Sequence, residues 1–281
     1  MTRPIMAALY APADRPERFD KALDAGADAV IVDLEDAVTA SRKADARAAL
    51  PEFAAAWEAR GENAPAVQVR INGGGSSAHD ADLSALADLP AAFGVRLPKT
   101  QSAADVEGIR VAAPGRAIHA LLESALSIER AFEIACAGVS SIATGEADLR
   151  AELGVPAGRV GEAGLAWSRS RVVNAAAAAG LPAPLMAVYA DVDDLDGLEA
   201  SCHTGRALGF AGRTAVHPRQ LDVIRRAFTP DAAEIARARS IIERVRSAAA
   251  DGTGAFVLED GTFVDIAMVR AAERVLAAAR D

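Results

Sequence analysis

Short, nearly continuous apolar runs alternate along this chain with longer stretches in which apolar residues recur every three or four positions. The runs are Ile5–Tyr10, Ala29–Leu34, Ala66–Asn72, Gly94–Lys99, Ala117–Glu123, Ser140–Gly145, Leu185–Tyr189 and Gly212–His217. Continuous rather than alternating apolar character is expected of strands buried on both faces of a parallel sheet. The stretches between them read as amphipathic helices: Arg15–Ala25, Ser41–Leu50, Ala103–Ala112, Ala125–Ala137, Ala163–Ala179 and Val192–Leu208. Ser41 is placed to cap the second, and Pro51 is expected to end it. Gly26, Gly138, Gly180 and Gly209 stand where left-handed helix C-caps belong.

Eight β-α units in this length predict an α/β fold, a closed (β/α)8 TIM barrel, with a doubly wound open sheet as the alternative. After His217 the pattern changes. Pro218–Phe228 and Asp231–Ala250 read as helices, and Ala255–Asp265 alternates around Asp260-Gly261, a hairpin signal. A last helix is expected from about Ile266 to Arg280. The chain is therefore divided into a barrel, 1–220, and a C-terminal helical and hairpin extension, 221–281, expected to pack on the barrel or on a neighbouring subunit.

Composition narrows the function classes. Thirty Lys and Arg against 39 Asp and Glu give a formal charge of −9, with 4% aromatics. Such a chain is poorly suited to nucleic-acid backbones or base stacking. Mean hydropathy is +0.14, yet no stretch of about 18 apolar residues lacks charge, which argues against a membrane span. The N-terminus lacks a convincing signal peptide, and Cys136 and Cys202 alone offer no disulfide framework. A cytoplasmic location is expected.

In a parallel barrel the chemistry sits at the C-terminal strand ends. Those ends carry Asp33, Glu35 and Asp36; Arg70; Lys99; Glu123; Glu146 and Asp148; and His217. Glu123 and Asp148 lie one β-α unit apart with no neighbouring His or Cys. They suit a hard cation, Mg2+, whose shell is completed by water and substrate oxygens. The alternative is that Glu123 pairs with Arg70 or Lys99 and that Asp148 caps a helix. Arg70 suits a substrate carboxylate, or else an ion pair with the Asp33/Glu35/Asp36 cluster. His217 suits an acid-base or a structural role.

The ordered segments Leu9-Tyr10-Ala11-Pro12 through Lys21-Ala22, Gly26 through Val38, and Val69-Arg70-Ile71-Asn72 resemble the HpcH/HpaI aldolase and citrate lyase β-subunit family. So do Leu97-Pro98-Lys99, Leu122-Glu123-Ser124, Gly145 to Leu149, Ala215 to Gln220, and Asp260-Gly261 with Val264-Asp265. The likeness is strongest to the malyl-, citramalyl- and citryl-CoA lyase branch. It implies a barrel assembled as a homotrimer or hexamer, with Mg2+ on Glu123 and Asp148. It implies Arg70 at the keto-acid end, and Glu35 and Asp36 in the acid network around the metal. Arg15 and Lys21 would lie toward the CoA phosphates, and Lys99 would also serve substrate binding. Asp265, from a neighbouring subunit, would act as acid-base, or else cap a helix.

The sequence departs from the family pattern at Ala13, at Glu146-Ala147 with its acid moved one place, at Met186-Ala187-Val188, and at Ile266-Ala267. The expected activity is Mg2+-dependent carbon–carbon cleavage, or condensation, of a 3-hydroxyacyl-CoA. A metal-dependent aldolase on free hydroxy-keto acids, or a carrier-dependent citrate lyase β-type subunit, remains the alternative.

Overall fold

The computed structural model describes residues 5–250, 256–257, 263–264 and 266–279. Eight parallel strands form one sheet: β1 Ala7–Pro12, β2 Ala29–Asp33, β3 Ala66–Arg70, β4 Gly94–Leu97, β5 Ile118–Leu122, β6 Ser141–Thr144, β7 Leu185–Met186 and β8 Gly212–Ala215. β1 pairs with both β2 and β8, so the sheet curls on itself. β6 and β7 come into contact without a ladder among the described residues, leaving a nearly closed (β/α)8 barrel. The open doubly wound alternative is set aside by the β1–β8 pairing. The register places Asp33 beside Arg70, and Arg70 beside Arg96.

Several boundaries differ from the sequence reading, each for a local reason. β1 starts two residues late because the Asp28 carboxylate accepts the Met6 and Ala7 amides, at 2.9 and 2.8 Å. β7 keeps only two of its five expected residues. Pro51 does not stop a helix. It lies in the first turn of Leu50–Glu58, where its missing N–H costs nothing. Arg130, with φ −88° and ψ 9°, splits the expected 125–137 helix into Ala125–Glu129 and Ala131–Ala135. All four expected glycine caps do have positive φ, from 72° to 99°.

One helix, His79–Ala87, escaped the periodicity because part of its inward face is charged. Asp82 is fully buried there and accepts bonds from Asn72 N and Nδ2 (2.8 and 2.6 Å) and from Arg47 (2.9 Å). Asn72 Nδ2 also donates to the Leu34 carbonyl at 2.9 Å, tying the β2 and β3 exits together.

The chain divides into two compact units, Met1–Arg225 and Arg226–Asp281. In the first, an edge-to-face aromatic chain, Phe19–Phe53–Phe93–Trp57, links helices to the barrel wall, with ring centroids 5.0–6.0 Å apart. In the second, helices Ala232–Ala250 and Ile266–Ala278 pack through Ala238, Ile241 and Ala272, and β9 Phe256–Val257 pairs antiparallel with β10 Phe263–Val264. The expected turn at Asp260-Gly261 lies outside the described residues. No helix among the described residues is long and apolar enough to cross a membrane.

Phe53 is fully buried between two rings, so Phe53→Ala should cost about 3–5 kcal/mol. Urea unfolding measures this, and a loss under 1 kcal/mol would mean the aromatic chain is not a core.

Candidate active site

A cavity of about 690 Å3 opens at the C-terminal end of the barrel. Its wall carries Asp33, Asp36, Arg70, Glu123, Glu146 and Asp148, and its depth reaches Leu9, Arg96 and Thr214. The strand ends thus converge as the sequence implied, but they differ in how far each charge is already neutralised.

Arg70 is the most committed. Its Nε and Nη2 donate to both oxygens of Asp33 at 2.7 and 2.6 Å, a two-pronged pairing between adjacent strand ends. Its Nη1 lies 3.0 Å from Glu35 and 3.5 Å from Asp36. The guanidinium also covers the Tyr10 ring at 4.7 Å. Burial opposes the charge, but the bond to Asp33 and the surrounding negative groups hold its pKa above the ordinary arginine value. Asp33 accepts two backbone amides as well, from Glu35 and Ala37. The ion pair expected as an alternative for Arg70 is therefore present, on a residue that also faces the cavity.

Glu35 is 3% exposed and faces away from the main cavity, into a second one of about 420 Å3 that includes Lys99, Asn72 and Gly73. Lys99 Nζ approaches it at 2.8 Å. Burial pushes the Glu35 pKa up, and Lys99 partly counters this. Lys99 itself has φ +53°, uncommon for a residue with a side chain, and its pKa is raised by the bond to Glu35. Asp36 borders both cavities.

Glu146 is 8% exposed and is gripped by Arg169 at 2.7 and 2.6 Å. Arg169 in turn holds Glu162, which Arg150 also holds, both at 2.7 Å. This ring of four charges fixes the first turn of the helix Glu146–Leu153, on whose third residue Asp148 stands. Arg169 and Glu162 carried no sequence signal, because their contacts join segments that periodicity treats separately.

Glu123 and Asp148 are the carboxylates left over. Neither makes a hydrogen bond or ion pair among the described residues, so neither alternative reading of them holds. Arg70 and Lys99 pair with other acids. The helix cap at Gly145 has no side-chain bond. Glu123 is 7% exposed, and its pKa is pushed up to about 7 by burial, then by Glu35 and Asp148. Gly145 makes room for it: a Cβ there would sit 2.7 Å from Glu123 Oε1. An uncompensated, mutually repelling carboxylate pair at a cavity wall is the donor set of a hard divalent cation. Among the described residues no group of three or more His, Cys, Asp or Glu side chains is placed for a metal. Two carboxylates leave positions for water and substrate oxygens, the usual arrangement for Mg2+.

The cationic rim is only partly as expected. Lys21 lines the cavity and is exposed; Arg15 is exposed but outside the lining, and Arg18, which was not singled out, takes a place there. His217 also borders the cavity, and its Nδ1 accepts the Arg219 amide at 3.2 Å. Asp265 lies outside the described residues.

Residues 6–218 match the HpcH/HpaI aldolase/citrate lyase family, and the chain belongs to it. It is 38% identical over 273 residues to a citrate lyase subunit beta-like protein of Mycobacterium tuberculosis, covering 95% of this chain and 93% of that one. It is 34% identical to a (3S)-malyl-CoA thioesterase of Cereibacter sphaeroides, covering 98% and 95%. A crystal structure of the protein CitE from Mycobacterium tuberculosis with magnesium, acetoacetate and coenzyme A superposes with a TM-score of 0.82 at 36% identity, over 99% of each chain.

The raised Glu123 pKa has a consequence for stability. The folded chain holds this proton up to about pH 7, the unfolded chain only to about 4.5. The metal-free protein therefore loses stability as pH rises through that window. Glu123→Gln should raise the melting temperature at pH 8 in the presence of a chelator and flatten its dependence between pH 5 and 8. Identical pH profiles for the two proteins would show that Glu123 is not the buried acid described.

Proposed function

We propose that this protein is a Mg2+-dependent carbon–carbon lyase that cleaves, or forms, a 3-hydroxyacyl-CoA whose carbinol carbon carries a carboxylate. The observation that carries the reading is the unpaired couple Glu123 and Asp148 on the wall of a cavity large enough for an acyl-thioester end. The magnesium, acetoacetate and coenzyme A held by the solved relative support it.

Glu123 and Asp148 would hold the ion, which when bound supplies positive charge to polarise the substrate's hydroxyl and carboxylate oxygens. The chain's own residues do the rest. Arg70, locked by Asp33, keeps a fixed positive group beside the carbinol end, where the new carbonyl gathers charge. Asp36, on the border between the two cavities, accepts the hydroxyl proton, and Glu35, lining the second cavity, belongs to the acid network behind it. The bond between the carbinol carbon and the thioester α-carbon breaks, a keto acid forms, and the α-carbon takes up one proton. On the family resemblance that proton comes from Asp265 of a neighbouring subunit in a homotrimer or hexamer. Lys21 and Arg15, with Arg18, offer positive charge to CoA phosphates, and Lys99 holds Glu35 in place. We propose that the C-terminal extension serves this shared site.

Glu123→Ala and Asp148→Asn should each lower Mg2+-dependent cleavage of malyl-, citramalyl- and citryl-CoA by more than the roughly 10–100-fold loss seen when only a ligand's supporting partner changes. Calorimetry with Mg2+ alone should lose its binding signal in Glu123→Ala. Product analysis separates the activities: keto acid plus acyl-CoA supports the lyase, whereas free CoA plus a hydroxy acid would make the protein a thioesterase. Cleavage confined to CoA-free substrates would favour the aldolase alternative. Full turnover in Glu123→Ala would overturn the site.

A further inference from the structure

The cavity wall between the β6 and β8 exits depends on β7, the strand with the least backbone support. Among the described residues β7 pairs with β8 through Leu185 and Met186 only, and no ladder joins it to β6. Past Met186 its carbonyls still need donors. Two buried side chains supply them. Arg213 on β8, 2% exposed, donates from Nε to the Ala187 carbonyl at 3.0 Å. Gln220, fully buried, donates from Nε2 to the Tyr189 carbonyl at 2.9 Å. Alternate carbonyls are thus met by side chains where a longer strand pair would have met them with backbone amides. Arg213 is itself anchored, by Nη2 to Ser201 Oγ at 3.0 Å and by Nη1 to Cys202 Sγ at 3.6 Å, both on the helix Leu195–Leu208.

Gln220 also reaches the other side of the wall. Its Oε1 accepts the Val216 and His217 amides at 3.0 and 3.3 Å, so one side-chain amide joins the β8 exit to the β7 exit. Tyr189 is held from its far end too: its hydroxyl donates to Asp194 at 2.6 Å, and Asp194 caps the helix Leu195–Leu208 by accepting the Gly197 amide at 2.9 Å. A Cβ on Gly197 would collide with both the Tyr189 hydroxyl and the Asp194 carboxylate. The wall held in this way is apolar. Ala187, Val188 and Val216 line the cavity, and Val216 is 41% exposed. In the lyase reading the carbinol end lies at Glu123 and Asp148, past β5 and β6, and the CoA phosphates lie toward Lys21, past β1. Round the barrel β7 and β8 stand between β6 and β1, whereas the opposite way passes the charges of Arg70, Asp33 and Asp36. An uncharged thioester is better matched to the valine wall than to that charged one.

We infer that Gln220 is a positioning residue: by joining the β8 exit to the β7 exit it sets the apolar wall of Ala187, Val188 and Val216 against which the thioester's α-carbon is held. Arg213 and Tyr189 hold the same segment at its two ends. These three act through the wall rather than on the reacting atoms. The inference rests on the lyase reading above and adds to it the part of the chain that places the acyl group. With the link intact, the α-carbon keeps a fixed distance from the metal couple. With it cut, the acyl group loses its place, while Glu123 and Asp148, on other strand exits, keep theirs. A misplacement of about 1 Å costs on the order of 100-fold in rate.

The test uses the full-length protein and two variants. Gln220→Glu keeps an acceptor for the Val216 and His217 amides but puts an oxygen where the Tyr189 carbonyl needs a donor. Tyr189→Phe removes only the bond to Asp194 and serves if Gln220→Glu does not fold. Calorimetry reads Mg2+ alone, then acetyl-CoA and propionyl-CoA with Mg2+ present. Gln220→Glu should weaken both thioesters by at least about tenfold and change the propionyl-to-acetyl affinity ratio by at least about threefold, within the range that one methylene is worth in an apolar pocket. Its Mg2+ affinity should stay within about twofold of wild type, because the metal couple stands on other strand exits. Tyr189→Phe should move the same ratio in the same direction by less, and Val216→Ala, which trims the wall itself, should move it as far as Gln220→Glu does. A Gln220 that is merely structural would lower Mg2+ and thioester binding together. That result, an unchanged ratio, or a wild type that binds neither acyl-CoA overturns the assignment. Failure of the lyase reading looks different: wild type cleaves no hydroxyacyl thioester, while the acyl-CoA affinity ratio still decides whether Gln220 sets the wall.

Discussion

The two-pronged pairing of Asp33 with Arg70 decides what the rest of the site can do. Adjacent parallel strands place the two residues side by side, and the pairing consumes the strongest acid–base couple at the barrel mouth. Had Arg70 turned to Glu123 instead, the site would hold a neutral pair and no demand for a cation. With Arg70 committed, Glu123 is left buried against Glu35 and Asp148, and its raised pKa records the cost. A charge-lined cavity becomes a binding site only where the protein leaves charges unmatched.

That principle sorts the cavity wall into scaffold and function. Asp82, Asn72 and Arg47 form one fully matched buried network, and Glu146, Arg169, Glu162 and Arg150 form another. Each ties a catalytic-face loop to a helix, and matched networks of this kind rigidify what they join. Gly145 adds a steric permission, because a side chain there would collide with Glu123. Of the unmatched groups, Asp148 stands on a helix whose first turn the second network holds. Preorganised positions of that sort need no rearrangement when a ligand arrives.

Membership of the HpcH/HpaI aldolase/citrate lyase family fits this arrangement, since the barrel supplies the frame and the strand ends supply the chemistry. The relatives named above include both a citrate lyase subunit beta-like protein and a malyl-CoA thioesterase. One frame therefore carries more than one outcome, and the distinction lies in which charges and hydroxyls reach the carbinol and thioester ends of the substrate.

The strand order, the glycine caps and the strand-end positions of Asp33 and Glu123 were legible in the sequence, because burial on two faces and helical periodicity leave short-range patterns. Glu123, Asp148 and Arg70 were legible as candidates for the same reason. Their partners were not. Whether Arg70 met Asp33 or Glu123 depends on register between strands 37 residues apart in the chain, which no local pattern records. The helix His79–Ala87 was hidden because a buried charge, Asp82, stands on its inward face. Gln220 read as one residue of a family motif, since nothing short of the folded barrel shows that its amide meets the Tyr189 carbonyl. The chain itself determined which groups arrive at the mouth; only tertiary pairing, through distance and desolvation, decided which of them remain to hold a ligand.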